Sequence, residues 1–446
     1  MRIDGLRFAF CLAALLATSS ALYGQSLPDT LTFSRARALW EANNPQFRAA
    51  RVQGRATGQA ARAGALFPNP TLSVSEEQTN LEGPGVDDQW YLSVTQPLRY
   101  PGEQSARAAA ASATARAAKA RVRETTAGLY RTLRRRYLDV VVAERQHAIH
   151  RRYTKAIRGV ARAARVRKEE GDLGTMRQAR VQAAQARYED ELEEARRTLY
   201  TARADLYALL RAESTRPPEP GGAALPNYDI VGALQYRPVS VPLPEALRRA
   251  LQNRGRMQAA RAALEAQQEQ LTTARYGRLP NLSVSAGPKT QNLPGSGPTY
   301  GFTAALNVEL PLWNRGQTNL EATRSRRAEA QARLEAARRQ VRADVRTAIE
   351  DLRSYRARIE TVSEDMLVGA DSLLQNAQYV YQEGDITLFE LLDAIEAGRS
   401  TVLLKTRLTA NYLRALYDLE YALGVGPSDA PVVVEGALDP RDVDFQ

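Results

Sequence analysis

Residues Thr299 to Gly316 read TYGFTAALNVELPLWNRG. Tyr300, Phe302, Ala304, Leu306, Val308 and Leu310 are apolar, while Gly301, Thr303, Ala305, Asn307 and Glu309 between them are small or polar. That period of two is the mark of a strand with one apolar face. The pattern stops at Pro311, which removes a backbone donor; Asn314 is a candidate helix cap, Gly316 loosens the turn, and from Gln317 the sequence reads as unbroken helix. A strand long enough to cross a bilayer at a tilt, passing through a proline turn into a very long helix, is expected where a membrane barrel joins a soluble tube.

The rest of the chain repeats this plan. Thr32 to Leu66 reads as helix with Ser34 as its candidate cap, TLSVS follows Pro70, and WYLSVTQPL from Trp90 to Leu98 alternates again after a turn-rich loop. Pro101 and Gly102 introduce a helix from Glu103 to Glu170, roughly 100 Å if continuous. A second helix, Thr175 to Arg211, returns beside it as an antiparallel hairpin. Ala36, Asn43, Ala49 and Arg51 recur 210 positions later as Ala246, Asn253, Ala259 and Arg261, and the same offset carries Pro70-x-Leu72-Ser73-Val74-Ser75 onto Pro280-x-Leu282-Ser283-Val284-Ser285. Glu170-Gly171-Asp172 recurs as Glu383-Gly384-Asp385. A register held through the turns implies duplication of a helix, strand, strand, helix, helix unit. The domain plan that follows is a signal peptide over 1–24, repeat 1 over 25–213, a Pro/Gly-rich connector over 214–242, repeat 2 over 243–424 and a tail over 425–446.

The leader is expected from Arg2 and Arg7, an apolar run from Leu6 to Ala17 and small residues beyond it. The single cysteine, Cys11, lies in that run behind Phe8-Ala9-Phe10, so neither a disulfide nor a lipid anchor at that residue is expected in the mature chain. Of 61 basic residues only five are lysine, and the net charge is +11. The arginines alternate with glutamates at helical spacing, which marks solvated helix faces and gives no reason to expect a nucleic-acid partner. His147 and His150 are the only histidines, and without a third strong ligand nearby they read as exposed helix residues; no metal site, cofactor or catalytic constellation is expected.

The four expected strands, about Thr71 to Thr79, Trp90 to Leu98, Asn281 to Lys289 and Thr299 to Leu310, form a sheet with two open edges. In a bilayer each unpaired backbone group is costly, so several chains must close one barrel. Two chains give eight strands with a filled interior, and three give twelve with an open passage. Trp90, Tyr91 and Tyr300 stand near strand ends, where interfacial aromatics belong. A soluble β-domain, the competing reading, leaves the helix lengths unexplained.

With repeats, strands and hairpin tips in place, the sequence from Leu31 to Gly424 closely resembles the outer-membrane efflux proteins of the TolC type. LNVELPLWNRGQ is similar to the second strand-to-helix junction of the branch serving cobalt, zinc, cadmium and copper or silver export. The resemblance implies a mainly α fold with a membrane β-barrel: a homotrimer of twelve strands in the outer-membrane lipid above a helical tunnel in the periplasm. It implies a passive, non-enzymatic duct opened by a periplasmic adaptor and an inner-membrane pump, a proton-driven one in that family's usual form. It puts Tyr381, Glu390 and Asp393 at the periplasmic aperture and the adaptor at the tips Gly171, Asp172, Gly384 and Asp385. Arg177 and Arg180, at the equivalent places in repeat 1, are expected as closed-state partners of Glu390 or Asp393. A protein-secretion duct of the same fold and a periplasmic coiled-coil scaffold without a pore are the alternatives.

Overall fold

The computed structural model describes residues 30–80, 86–170, 174–210, 229–232, 234–293, 297–362, 379–381, 383 and 385–427. The leader, the tips Gly171, Asp172 and Gly384, most of the connector and the tail beyond 427 lie outside the described residues. The chain is mainly helical with one four-stranded antiparallel sheet.

The first expected helix is two: α1 (Phe33–Asn43) and α2 (Pro45–Ala65). Thr32, rather than Ser34, caps α1, accepting a hydrogen bond from the Arg35 amide, because Ser34 already lies inside the first turn. The chain bends at Asn44, whose side chain accepts from the Phe47 amide while Pro45 takes the first helical position, where its missing N–H costs nothing. Strands β2 (Thr71–Asn80) and β3 (Val86–Leu98) follow, then α3 (Pro101–Glu169), 69 residues without a break at Gly159. At the α-helical rise it spans roughly 100 Å. Helix α4 (Thr175–Leu210) packs antiparallel along it.

The described part of the connector contains β4 (Asp229–Ile230), which pairs in parallel with β1 (Thr30–Leu31). The Tyr137 hydroxyl donates to the Leu31 and Val231 carbonyls at 2.9 and 2.8 Å, so one side chain of α3 pins both strands. Helices α5 (Leu243–Asn253) and α6 (Gly255–Tyr276), strands β5 (Asn281–Leu293) and β6 (Gly297–Glu309), α7 (Gln317–Thr361) and α8 (Leu388–Leu423) complete the order.

Two cores hold the helices at mid-length. One joins Trp40, Leu133, Tyr137 and Leu206; the other joins Val341, Val345 and Leu352 of α7 to Leu408, Tyr412 and Leu419 of α8. Nearer the sheet, α3 buries Ala106, Ala110, Ala113, Ala117 and Ala120. Side chains this small let neighbouring helices approach closely, and α3 packs there against α2 and α6.

The sheet order is β2-β3-β5-β6, every pair antiparallel. Leu72 faces Val94, Val74 faces Leu92, Leu98 faces Leu282, and Val308 faces Leu282 from the other side, so the apolar residues of all four strands share one face. The other face carries Ser73, Ser75, Ser93, Thr95, Ser283, Thr303 and Asn307. Gly287 lies where β5 passes β3: a Cβ there would stand 1.8 Å from the Leu92 carbonyl oxygen. Gly316 opens α7 at φ +65°, a left-handed turn that a side chain resists. Asn314 does not cap that helix; its Oδ1 accepts from the Gly316 amide and closes the turn before it.

Candidate functional site

At the end of the helices away from the sheet, α8 begins with a reciprocal cap. The Thr387 hydroxyl accepts from the Glu390 amide at 3.3 Å, and the Glu390 carboxylate accepts from the Thr387 amide and hydroxyl at 2.7 and 2.8 Å. This is the pairing expected of Thr-x-x-Glu ahead of an apolar run. Those bonds hold the Glu390 carboxyl below the usual carboxylate range, the backbone amide contributing most, so it is charged at neutral pH. Asp393 lies exposed one turn further on the same helix. The residues expected at the aperture thus differ: the Glu390 carboxylate is held by its own helix start, whereas the Asp393 side chain forms no ion pair among the described residues.

Tyr381 is buried, with the Arg167 guanidinium 4.9 Å from its ring centre. Arg177 is exposed in the first turn of α4. Arg180 lies 5.0 Å over the ring of Phe389, the neighbour of Glu390. Within one chain, and among the described residues, neither arginine forms an ion pair with Glu390 or Asp393. Asp385 is exposed and its amide donates to the Val380 carbonyl at 3.1 Å.

About one helix turn beyond Asp393 lies a charged cluster that the sequence pattern did not reveal. Arg399 of α8, only 7% exposed at its side chain, pairs with Glu191 of α4 and, at 2.9 Å, with Glu396 of its own helix. Arg187 reaches Glu396 at 2.7 Å, and the Tyr188 hydroxyl donates to the same carboxylate at 2.8 Å. The Arg399 guanidinium also lies 4.3 Å over the Tyr188 ring. From α3, His150 brings Nδ1 to 3.9 Å from Glu191, and Thr154 donates to the Tyr188 carbonyl at 3.0 Å. His150 is therefore not the exposed residue its spacing suggested: it is 15% exposed, and burial, followed by the nearby Arg399 charge, lowers its pKa below the ordinary 6.5. His147 is half-buried and lowered as well, first by burial and then by Arg151. This cluster clamps α8 to the α3–α4 hairpin, above an apolar layer of Ile157, Val181, Leu388 and Leu391.

A second set of ion pairs joins α3 to α8 nearer mid-length: Arg134 with Glu420, Arg131 and Arg135 with Asp418, and Arg414 with Asp139. Arg254, 2% exposed at the α5–α6 joint, bridges Glu124 at 3.3 Å and Asp344 at 2.5 Å. Among the described residues no group of three or more metal-ligating side chains converges.

On the sheet, Trp90 and Tyr300 project from the apolar face as expected of interfacial aromatics, but Tyr91 does not. Alternation puts Tyr91 on the polar face, where its hydroxyl donates to Gln89 and Glu77 at 2.6 and 3.3 Å. Lys289 of β5 donates to Gln89 at 3.0 Å from the same face.

Residues 38–211 and 246–425 match the family model described as "Outer membrane efflux protein". The chain is 27% identical over 370 residues to the cobalt-zinc-cadmium resistance protein CzcC of Cupriavidus metallidurans, covering 82% of this chain and 83% of that protein. Its fold is that of the CusC transmembrane channel, with a TM-score of 0.72 at 18% identity over 88% of this chain and 92% of the other. VceC of Vibrio cholerae, an outer membrane protein, gives 0.68 at 18% identity over 88% and 96%.

Proposed function

The chain belongs to the outer membrane efflux protein family, and from that premise we propose that three copies close a twelve-stranded barrel whose helices form one tunnel into the periplasm. The observation that carries this is the sheet. Its two faces are opposite in polarity, and among the described residues β2 and β6 each leave one edge unpaired. In hydrocarbon each unpaired backbone group costs several kcal/mol, so β6 of one copy must meet β2 of the next. The polar face then lines the passage and the apolar face meets lipid. Helix α2, none of whose residues is buried within the chain, supplies a further face for a neighbour. The two family matches are read as copies of one unit, over 25–213 and 243–424, joined by the connector.

The duct is passive and catalyses nothing; an inner-membrane pump, proton-driven, supplies the energy. A periplasmic adaptor engages the tips around Gly171, Asp172, Gly384 and Asp385. Divalent transition-metal cations are the proposed cargo, supported by the name of the Cupriavidus relative. Threefold symmetry turns Glu390 and Asp393 into rings of carboxylates, which favour cations and repel one another on closure. Arg177 and Arg180 of a neighbouring hairpin offset that repulsion in the closed state.

A deletion strain complemented with the intact gene tests the cargo. Regained growth on zinc, cobalt or cadmium is expected; recovery confined to drugs or dyes would remove metal export from the reading. Single-channel recording tests the aperture. The Arg177→Glu/Arg180→Glu variant should open more often than wild type, and an unchanged closed state would count against the arginine partners.

A further inference from the structure

The four places where strand gives way to helix lie together at one end of the sheet, since Leu98 pairs with Leu282 and Asn281 with Glu309. These junctions share a composition. Each presents exposed apolar side chains, among them Phe67, Leu279, Leu312 and Trp313, the last 88% exposed. Arg62, Arg278 and Arg315 stand beside them, exposed, and among the described residues none of the three forms an ion pair. No aspartate or glutamate occurs in 62–70, 97–102, 275–280 or 310–316. At the opposite end of the sheet the balance is reversed: Glu76, Glu77 and Asp88 outnumber a single lysine, Lys289.

We propose that this belt of arginines and exposed apolar residues binds anionic phospholipid on the periplasmic side of the membrane; the inference rests on the channel reading above. The belt continues the apolar face of the barrel at the depth where acyl chains end and headgroups begin. Tryptophan at that depth places its ring among the chains and its N–H among the headgroups. Arginine offers a planar fork that matches a phosphodiester. A free phosphate satisfies the guanidinium and leaves Trp313 and Leu312 in water, so the complementary ligand has both a charged head and a hydrocarbon tail. Attraction of this kind amounts to about fivefold in affinity for each arginine near an anionic surface.

The test is native mass spectrometry of the full-length protein in neutral detergent, titrated with phosphatidylglycerol or with phosphatidylethanolamine of the same chains. The wild-type trimer should retain phosphatidylglycerol at least about fivefold more strongly. The preference should disappear in Arg278→Gln/Arg315→Gln, persist in the charge-keeping Arg278→Lys/Arg315→Lys, and persist in Arg346→Gln, an exposed position far along α7. Equal retention of both lipids by the wild type, an undiminished preference in the glutamine variant, or displacement of the lipid by inorganic phosphate would overturn the proposal. A wild-type spectrum without trimer would overturn the channel reading and this one together, and it is distinguished by mass alone.

Discussion

The sheet and the α3–α4–α8 clamp stand towards opposite ends of the long helices and find partners for their polar groups in opposite places. Strands β2 and β6 each have one row of backbone donors and acceptors with no partner among the described residues, and on the proposed reading other copies of the chain supply it. In the clamp, Arg399, Glu191, Glu396, Arg187 and Tyr188 pair with one another within one chain, with His150 alongside. A shared sheet can form only on assembly. A clamp internal to each chain can loosen in one protomer while the barrel stays closed. On the proposed reading, the difference suits a channel whose membrane end stays sealed while its far end opens.

The sharpest way to break this contrast is a pair of neighbouring substitutions in β6. Ala304→Arg sets a charge on the lipid face and Thr303→Arg sets one on the polar face. Near the bilayer midplane the first costs about 2–4 kcal/mol in each copy, and three copies multiply it. Heat-resistant trimer in outer-membrane fractions should vanish for Ala304→Arg and persist for Thr303→Arg. Similar yields would show that the two faces are not lipid and water.

Next in size is Arg399→Met, which leaves Glu191 and Glu396 without their principal buried cation. Breaking a buried pair from one side costs about 3–5 kcal/mol. Hydrogen exchange should rise around residues 187–191 and 395–399 while the strands stay protected. A uniform rise across both regions would mean that clamp and sheet are a single cooperative unit.

The smallest effect concerns acidity. Because the folded-state pKa of His150 lies below 6.5, the unfolded chain binds the proton more tightly. The contribution of the neutral imidazole is complete above pH 6.5 and is lost as pH falls through that value towards the folded pKa. His147 titrates in the same direction. Melting temperature should fall between pH 8 and pH 5.5 by less in His150→Gln than in wild type. An identical fall would exclude His150 as the group responsible.

Much of the sheet is legible in sequence because side chains on a strand alternate, and the alternation of Tyr300 to Leu310 survives without knowledge of any neighbour. The same rule, applied residue by residue, would have put Tyr91 opposite to Trp90; its position near a strand end obscured that. Thr387 and Glu390 were also within reach, since Thr-x-x-Glu is a local signal. The clamp was not. Its members come from three helices, with Tyr188 and Glu396 separated by 208 positions. Their meeting depends on how those helices slide and rotate against one another, which the arginine–glutamate background of the chain does not encode visibly. His150 looked exposed for that reason: on α3 alone it lies beside solvent-facing arginines, and only α4 and α8 cover it.

One consequence of the strand order is genetic. With β2 and β6 as the two outer edges, the proposed ring of three identical chains closes head to tail, each copy offering a different edge to each neighbour. A chain damaged at β6 alone keeps a sound β2 and can still be recruited by a healthy partner, then leaves the circle unfinished. Cells expressing healthy and damaged alleles equally would assemble roughly one sound ring in eight if recruitment is random. Lesions along β6 should therefore behave as dominant poisons, whereas loss of the whole chain should be recessive.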